Sequence, residues 1–143
     1  MHARFHLASS LAAPLFCAAT LAAREASVYG DEDAAMRNAV QVESDSRKAA
    51  RLLDRKRYAD AKPLLEAIVA AAPRDASAWR KLGRCSLASG DAQRAVAAFN
   101  HQIKLGHKVE SARFDLARSL ALSGEKDRAL DALESAIRLG YDS

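Results

Sequence analysis

A repeat with a period of about 34 residues is the feature that most limits what this chain can fold into. The segment "GDAQRAVAAF" at 90–99 is echoed by "GEKDRALDAL" at 124–133. The same shift pairs further apolar and glycine positions, namely Leu82 with Leu116, Ala95 with Ala129, Phe99 with Leu133, Ile103 with Ile137 and Gly106 with Gly140. A fixed period of this length is typical of stacked supersecondary units that bury their apolar faces against one another. We therefore predict three units, at 42–75, 76–109 and 110–143.

Each unit is predicted to be a helical hairpin. In the middle unit, apolar and small residues recur at helical spacing on two segments, first at Trp79, Leu82, Gly83 and Ser86 or Leu87, and then at Ala95, Val96, Phe99 and Ile103. The chain has only 6 glycines and 3 prolines in 143 residues, and its abundant alanine, leucine and arginine favour helix. The expected fold class is all-α, an α-solenoid of three stacked hairpins.

The turns inside the hairpins carry their own signals. Gly90 and Gly124 each tolerate the left-handed backbone that commonly ends a helix. Asp91 and Glu125 follow them and are predicted to cap the next helix, and Asp75 is predicted to cap the helix that carries Trp79. The first unit has Lys56-Arg57 at this place, so its turn is expected to be the weakest.

The middle unit resembles the tetratricopeptide repeat family. It carries Trp79-x2-Leu82-Gly83 followed by Ala95-x3-Phe99, which is the pattern of that family in the right order and register. Serine stands at 86 where tyrosine is usual, and histidine at 107 where proline is usual. The resemblance implies a non-enzymatic fold that binds other proteins.

Residues 1–23 are interpreted as a signal peptide. Arg4 precedes an uncharged run at 7–23, and small residues before Arg24 offer a cleavage site. The run is short for a membrane span and contains Pro14, so no stable span is expected after cleavage, and a secreted or periplasmic protein is predicted. An uncleaved membrane anchor formed by residues 7–23 and an organelle transit peptide are the alternatives.

Residues 24–41 are predicted to be either a polar linker or a short capping helix. Met36 and Val40 would lie on one side of such a helix, with the acidic residues 31–33 at its beginning. The segment is short and polar, which suits a solvated linker equally well.

No catalytic site, metal site or cofactor is predicted. His101 and His107 are six residues apart and have no further ligand at a metal-binding spacing, so surface positions are expected for both. Cys85 follows Arg84, which would favour a reactive thiolate, but its place on a packing helix favours a buried thiol. The net charge of +4 comes from interleaved acids and bases, which argues against nucleic acid.

The resemblance further implies a concave groove lined by the first helix of each unit. The family's groove positions, carried over residue by residue, point to Arg80, Arg84, Leu87, Phe114 and Arg118. Three guanidiniums would suit an acidic or C-terminal peptide segment, with apolar contacts from the leucine and the phenylalanine. The alternative is that the arginines only solvate an exposed helix face.

The last hairpin suggests a second kind of contact. Its apolar residues are more than one hairpin can bury, namely Leu130, Leu133, Ile137, Leu139 and Tyr141. Some of them would point inward against the first helix of the unit, and the remainder predict an open end that a second copy or a partner covers. A structural homo-oligomer assembled through its repeat ends is therefore the alternative function.

Overall fold

Six helices make up the part of the chain that the structure describes. The structure is a computed structural model that describes the backbone of residues 13–141 and the side chains of residues 30–141. The helices are α1 (Ala13–Asp54), α2 (Tyr58–Ala71), α3 (Ala76–Ala88), α4 (Ala92–Lys104), α5 (Val109–Leu122) and α6 (Lys126–Arg138). No strand occurs within these residues, which confirms the all-α prediction.

Helix α1 is much longer than its counterparts. It is one continuous helix of 42 residues, and the predicted linker or short capping helix at 24–41 lies inside it. Most side chains described between residues 30 and 39 are exposed. No helix in the described part combines the length and the apolar character needed to cross a membrane.

The predicted signal peptide lies largely beyond this description. Residues 1–12 are outside the described part, and for residues 13–23 the structure gives a helical backbone only. The signal peptide, its cleavage and the secreted or periplasmic location remain predictions.

From α2 onward each helix packs against the next, so that the hairpins stack in chain order. Helix α3 also touches α5, which makes the first helices of two successive hairpins direct neighbours. Their side chains therefore share one surface of the stack. This is the arrangement of a helical solenoid, as the repeat period predicts.

Two clusters of buried residues hold the stack together. The first joins the end of α1 to α2, α3 and α4 through Ala49, Ala61, Leu65, Ile68, Val69, Ala78, Leu82, Cys85 and Ala98. The second joins α4, α5 and α6 through Ala95, Phe99, Leu116, Ala117, Leu120, Ala129 and Ala132. Many of these residues are alanines, whose small side chains let neighbouring helices approach closely.

Two of the three predicted helix caps are confirmed. Asp75 accepts hydrogen bonds from the backbone N–H groups of Ser77 (2.9 Å) and Ala78 (3.1 Å) at the start of α3. Asp91 accepts one from the backbone N–H of Arg94 (3.1 Å) at the start of α4.

The cap predicted at Glu125 is wrong. Its side chain makes no capping bond to α6. Its carboxylate instead accepts from the Ser123 hydroxyl at 3.1 Å and pairs with Arg128. The side chain of glutamate is one methylene longer than that of aspartate, and it is the shorter acid that suits the N-cap position.

The inter-helix turns explain why the first hairpin differs. Gly90 (φ 83°) and Gly124 (φ 86°) adopt the left-handed backbone, as predicted. Lys56 holds the same conformation (φ 57°) in the turn between α1 and α2. An L side chain is strained there, so the prediction of a weaker first turn has a physical cause in this residue.

Candidate functional site: an arginine-lined groove

All five groove residues predicted from the sequence lie on α3 and α5. Helix α3 carries Arg80, Arg84 and Leu87, and α5 carries Phe114 and Arg118. The two arginines of α3 are four residues apart and therefore lie on one side of it. Because α3 and α5 are neighbours, that side faces the same space as Arg118.

Two open cavities lie along this surface. The first has a volume of about 510 Å³ and extends toward Leu53, Tyr58, Leu87 and Leu122. The second has a volume of about 620 Å³ and extends toward the pair Phe114 and Tyr141. Together they form a groove with apolar side chains at both ends.

Four residues line both cavities and form what we call the groove cluster, namely Arg80, Arg84, Asp115 and Arg118. Arg84 and Arg118 are exposed and Arg80 is half-buried. The cluster thus contains three guanidiniums and one carboxylate, a net charge of two positive. The outer lining of each cavity adds one base and one acid, which offset each other, in the pairs Lys81 with Asp54 and Lys108 with Glu110.

Asp115 is the one member of the groove cluster that was not predicted from the sequence. Its side chain is only 19% exposed, and its closest guanidinium contact is 3.9 Å, from Arg118 Nη1 to Oδ1. Burial raises the pKa of the Asp115 carboxyl, although Arg84, Arg118 and Arg80 act in the opposite direction. The one available signal was that aspartate stands three residues before Arg118, on the same side of α5.

The apolar end of the second cavity is built by two stacked rings. The Phe114 and Tyr141 centroids are 4.4 Å apart and the ring planes differ by 13°. Phe114 was predicted as a groove residue, whereas Tyr141 was assigned only to the apolar end of the last hairpin. Stacked aromatics of this kind give a rigid apolar surface beside the arginines.

Cys85 lies beside the groove, but it is buried. It has no exposed surface, and its Sγ lies 3.2 Å from the backbone oxygen of Tyr58. Burial raises the pKa of this thiol, which disfavours the thiolate. The prediction of a buried thiol is confirmed.

His101 and His107 line neither cavity of the groove. His101 is exposed and its ring stacks on Trp79, with 4.1 Å between the centroids. Within the described residues, no three His, Cys, Asp or Glu side chains are placed to hold a metal ion.

Comparison with known proteins supports the repeat assignment. Residues 52–111, which cover the end of α1 through the beginning of α5, match the family model described as tetratricopeptide repeat. Residues 52–111 therefore carry tetratricopeptide repeat sequence. The resemblance of the Trp79 and Phe99 motifs to that family is thereby confirmed, in a segment that includes both arginines of α3.

Solved structures with a similar fold carry the name MamA. One, described as MamA 41-end from Desulfovibrio magneticus RS-1, is 28% identical with a TM-score of 0.62, over 71% of this chain and 58% of that one. Another, described as the MamA RS-1 ArsTM double mutant, is 28% identical with a TM-score of 0.63, over 68% of this chain and 55% of that one. This chain thus spans little more than half of either structure. No curated protein sequence matches it significantly.

A second surface lies on the outer side of the last hairpin. A cavity of about 430 Å³ between α5 and α6 is almost wholly apolar, and its lining includes Ala117, Ala121, Leu130 and Leu133. Leu130 is 60% exposed. Its counterpart one repeat earlier, Val96, packs against the core cluster that α5 completes. The cavity therefore occupies the place that a following first helix fills in the preceding repeat.

The apolar end predicted from the sequence is present in part. Leu130, Ile137 and Leu139 are more than half exposed, as an open end requires. Leu133 packs against the second core cluster, and Tyr141 is half-buried against Phe114. Part of the set thus packs inward and part is exposed, as predicted.

Proposed function

We propose that the chain is a non-enzymatic interaction scaffold that binds an acidic or C-terminal peptide segment in the groove between α3 and α5. Tetratricopeptide repeats and the similarity to MamA structures support the general role of a protein-interaction scaffold. The observation that carries the specific proposal is the convergence of three guanidiniums on the edge shared by two cavities.

The chemistry of the cluster fits a carboxylate ligand. A guanidinium presents paired N–H donors that match the two oxygens of a carboxylate, and such charge-assisted bonds contribute about 1.5–3 kcal/mol each when formed. The apolar ends of the groove, at Leu87 and at the Phe114 and Tyr141 rings, would take hydrophobic side chains that flank the acidic ones. Several such contacts together give a ligand both affinity and register.

A charge-reversal experiment tests this site. A fluorescent glutamate-rich peptide with a free C-terminal carboxylate is titrated with the wild type and with the Arg80→Glu, Arg84→Glu, Arg118→Glu variant. The matched control reverses three exposed arginines outside the groove, in an Arg51→Glu, Arg128→Glu, Arg138→Glu variant. Binding that is lost only in the groove variant, with helical circular dichroism retained in both, supports the proposal. Equal loss in both variants, or no binding by the wild type, contradicts it.

We also propose that the protein acts outside the cytoplasm, as the predicted signal peptide suggests. Mass spectrometry of the protein expressed from the full sequence in its native host tests this. A mature protein that begins near Arg24 and is recovered from the extracytoplasmic fraction supports the proposal. An intact N-terminus in the soluble cytoplasmic fraction contradicts it.

Self-association through the last hairpin is the second candidate function. It is favoured by the apolar cavity between α5 and α6 and by the exposure of Leu130 and Ile137. Sizing and light scattering over a concentration series should show an oligomer that a Leu130→Glu, Ile137→Glu variant abolishes. Leu105→Glu, which alters an exposed leucine that ends α4, is the control. A monomer at all concentrations contradicts this function.

A further inference from the structure

Asp115 occupies a place in the groove where a carboxylate works against an acidic ligand. It belongs to the groove cluster and is faced by arginines of both helices, Arg80 and Arg84 from α3 and Arg118 from its own helix. A ligand that contacts all three guanidiniums shares its space with this carboxylate, because the four residues line the same two cavities. The effect of Asp115 on which ligand binds therefore depends on whether other groups of the protein already pair with its carboxylate.

The protein does not pair Asp115 closely. Its nearest cation is 3.9 Å away, and within residues 30–141 its carboxylate accepts no hydrogen bond. Asp91 provides an internal comparison, since its Oδ2 lies 2.6 Å from Lys62 Nζ. The pKa values of the two acids are shifted in opposite directions, because that hydrogen bond lowers the pKa of Asp91 while burial raises the pKa of Asp115. Asp115 thus keeps free acceptor capacity.

Asp115 is also held in position. Neighbouring residues enclose most of its side chain, which is only 19% exposed. Its place on α5 is fixed further by the backbone, since its carbonyl oxygen accepts a hydrogen bond of 2.8 Å from the Ser119 hydroxyl. The carboxylate is thus largely enclosed by the protein before a ligand arrives. A bound segment would cover the remaining exposed oxygen surface.

Covering a charged group without pairing it is unfavourable. The carboxylate loses hydration, and the adjacent acid of a wholly acidic ligand repels it at short range. A cationic donor at this point reverses both effects, because it pairs with Asp115 in an environment less screened than bulk water. The acids on either side of that donor remain free to meet the three guanidiniums.

We propose that Asp115 is a specificity-determining residue that makes the groove select a mixed-charge segment, in which a lysine or arginine lies between acidic residues. The basic side chain donates to Asp115, and the flanking acids pair with Arg80 and Arg84 on one side and with Arg118 on the other. This inference rests on the proposed groove function and refines it. It states that charge order in the ligand, and not acidity alone, decides binding.

Two labelled peptides that differ at one residue test the selection. One has the core Glu-Glu-Lys-Glu-Glu and the other Glu-Glu-Gln-Glu-Glu, within identical glycine-serine flanks. Fluorescence anisotropy should give the wild type about a tenfold preference for the lysine peptide, the size expected for one charge-assisted hydrogen bond. In Asp115→Asn, which keeps the shape of the side chain, we expect that preference to fall to about twofold or less and the glutamine peptide to bind more tightly.

The control is Glu134→Gln, which removes the same charge from an exposed position on α6 that lines neither cavity. It should keep the wild-type preference, since Glu134 lies outside the groove. A wild type without preference for the lysine peptide, or an Asp115→Asn protein that retains it, overturns the inference while the groove function stands. Binding of neither peptide by the wild type overturns the groove itself and this inference with it.

A second measurement needs no variant at all. The carboxyl carbon resonance of Asp115 in labelled wild-type protein should shift when the lysine peptide is added, and much less with the glutamine peptide. This comparison remains decisive if Asp115→Asn does not fold. An unchanged resonance at saturating lysine peptide would show that the base does not meet Asp115.

Discussion

Gly83 lies directly against the ring of Phe99, so closely that a β-carbon at residue 83 would stand 2.7 Å from Cε1 and 2.8 Å from Cζ. Both residues are buried, one on α3 and one on α4. The glycine of the Trp79-x2-Leu82-Gly83 motif is therefore required by packing inside the hairpin. This contact sets how near the two helices approach each other.

Gly83→Ala is expected to destabilise the protein despite the better helix propensity of alanine. Overpacking of a buried site costs about 1–3 kcal/mol, whereas replacing a helical glycine by alanine contributes about 1 kcal/mol. We expect a net loss of up to about 2 kcal/mol in urea unfolding. The loss should shrink when Phe99→Leu is added, because the smaller side chain leaves room for the methyl group. Strict additivity of the two substitutions would contradict the contact.

Lys56→Gly is expected to stabilise the protein. Lys56 holds a left-handed backbone in the turn after α1, where the other two hairpins use glycine. Removal of that strain should outweigh the greater freedom of glycine in the unfolded chain and raise the free energy of unfolding by about 0.5–1 kcal/mol. Lys104→Gly, inside the last turn of α4, serves as the control and should lower it. A loss of stability with Lys56→Gly would show that the lysine side chain contributes more than the strain costs.

The stability that Asp91 contributes at the start of α4 is expected to depend on pH. Its carboxylate caps α4 and pairs with Lys62 of α2. The hydrogen bond from Lys62 is the main cause that lowers the pKa of Asp91, so the charged form is favoured in the folded state. This contribution to stability is fully present above the unfolded pKa of about 3.9 and is lost as the pH falls through the lower folded value.

Two variants separate the roles of Asp91. Asp91→Ala should cost about 1 kcal/mol from the lost cap, and Asp91→Asn should cost less because asparagine also caps well. The difference between wild type and Asp91→Asn in urea unfolding should be constant near neutral pH and decrease toward about pH 3. A difference that grows on acidification would have the wrong sign and would refute the assignment.

Tyr141→Ala is expected to weaken both the last hairpin and the apolar end of the groove. Loss of the stack on Phe114 should cost about 0.5–1.5 kcal/mol beyond the buried area. Tyr141→Phe keeps the ring and should retain most of the stability. In peptide titrations, Tyr141→Ala should reduce affinity for a ligand that carries an apolar flanking residue more than for one made of charged residues alone. If the affinity for both peptides falls equally, the Phe114 and Tyr141 rings do not contact the apolar residue of the ligand.

The repeat register predicted the helices because it records what the units share. The apolar helix positions recur in all three units and the glycine turns recur in the second and third, so both were visible in the sequence. Asp115 was not visible in this way, because the residue one repeat earlier is Lys81, which has the opposite charge. The residues that shape the groove differ from one repeat to the next. Aligning the repeats with one another reveals only the residues that they share, so it gives no signal for the groove residues.

Two further differences arose where local geometry decides the outcome. Glu125 stands in the register of Asp91, but one added methylene turns it from the helix end toward Ser123 and Arg128. Residues 24–41 lie outside the repeat, so no periodic signal fixed their structure. Their alanines and charged residues suit a helix, and in the structure they extend α1 without a break.

Because Cys85 is completely buried, the rate at which a reagent labels its thiol reports how often the surrounding helices open. Its Sγ is enclosed between α3 and the Tyr58 carbonyl at the start of α2, so a thiol reagent reaches it only when these two helices separate. In a Cys17→Ser background, the rate of labelling therefore measures how often this one junction opens. If Cys85 is labelled faster than the whole protein unfolds, the hairpins of the solenoid open separately. If the two rates are equal, the solenoid opens as one unit.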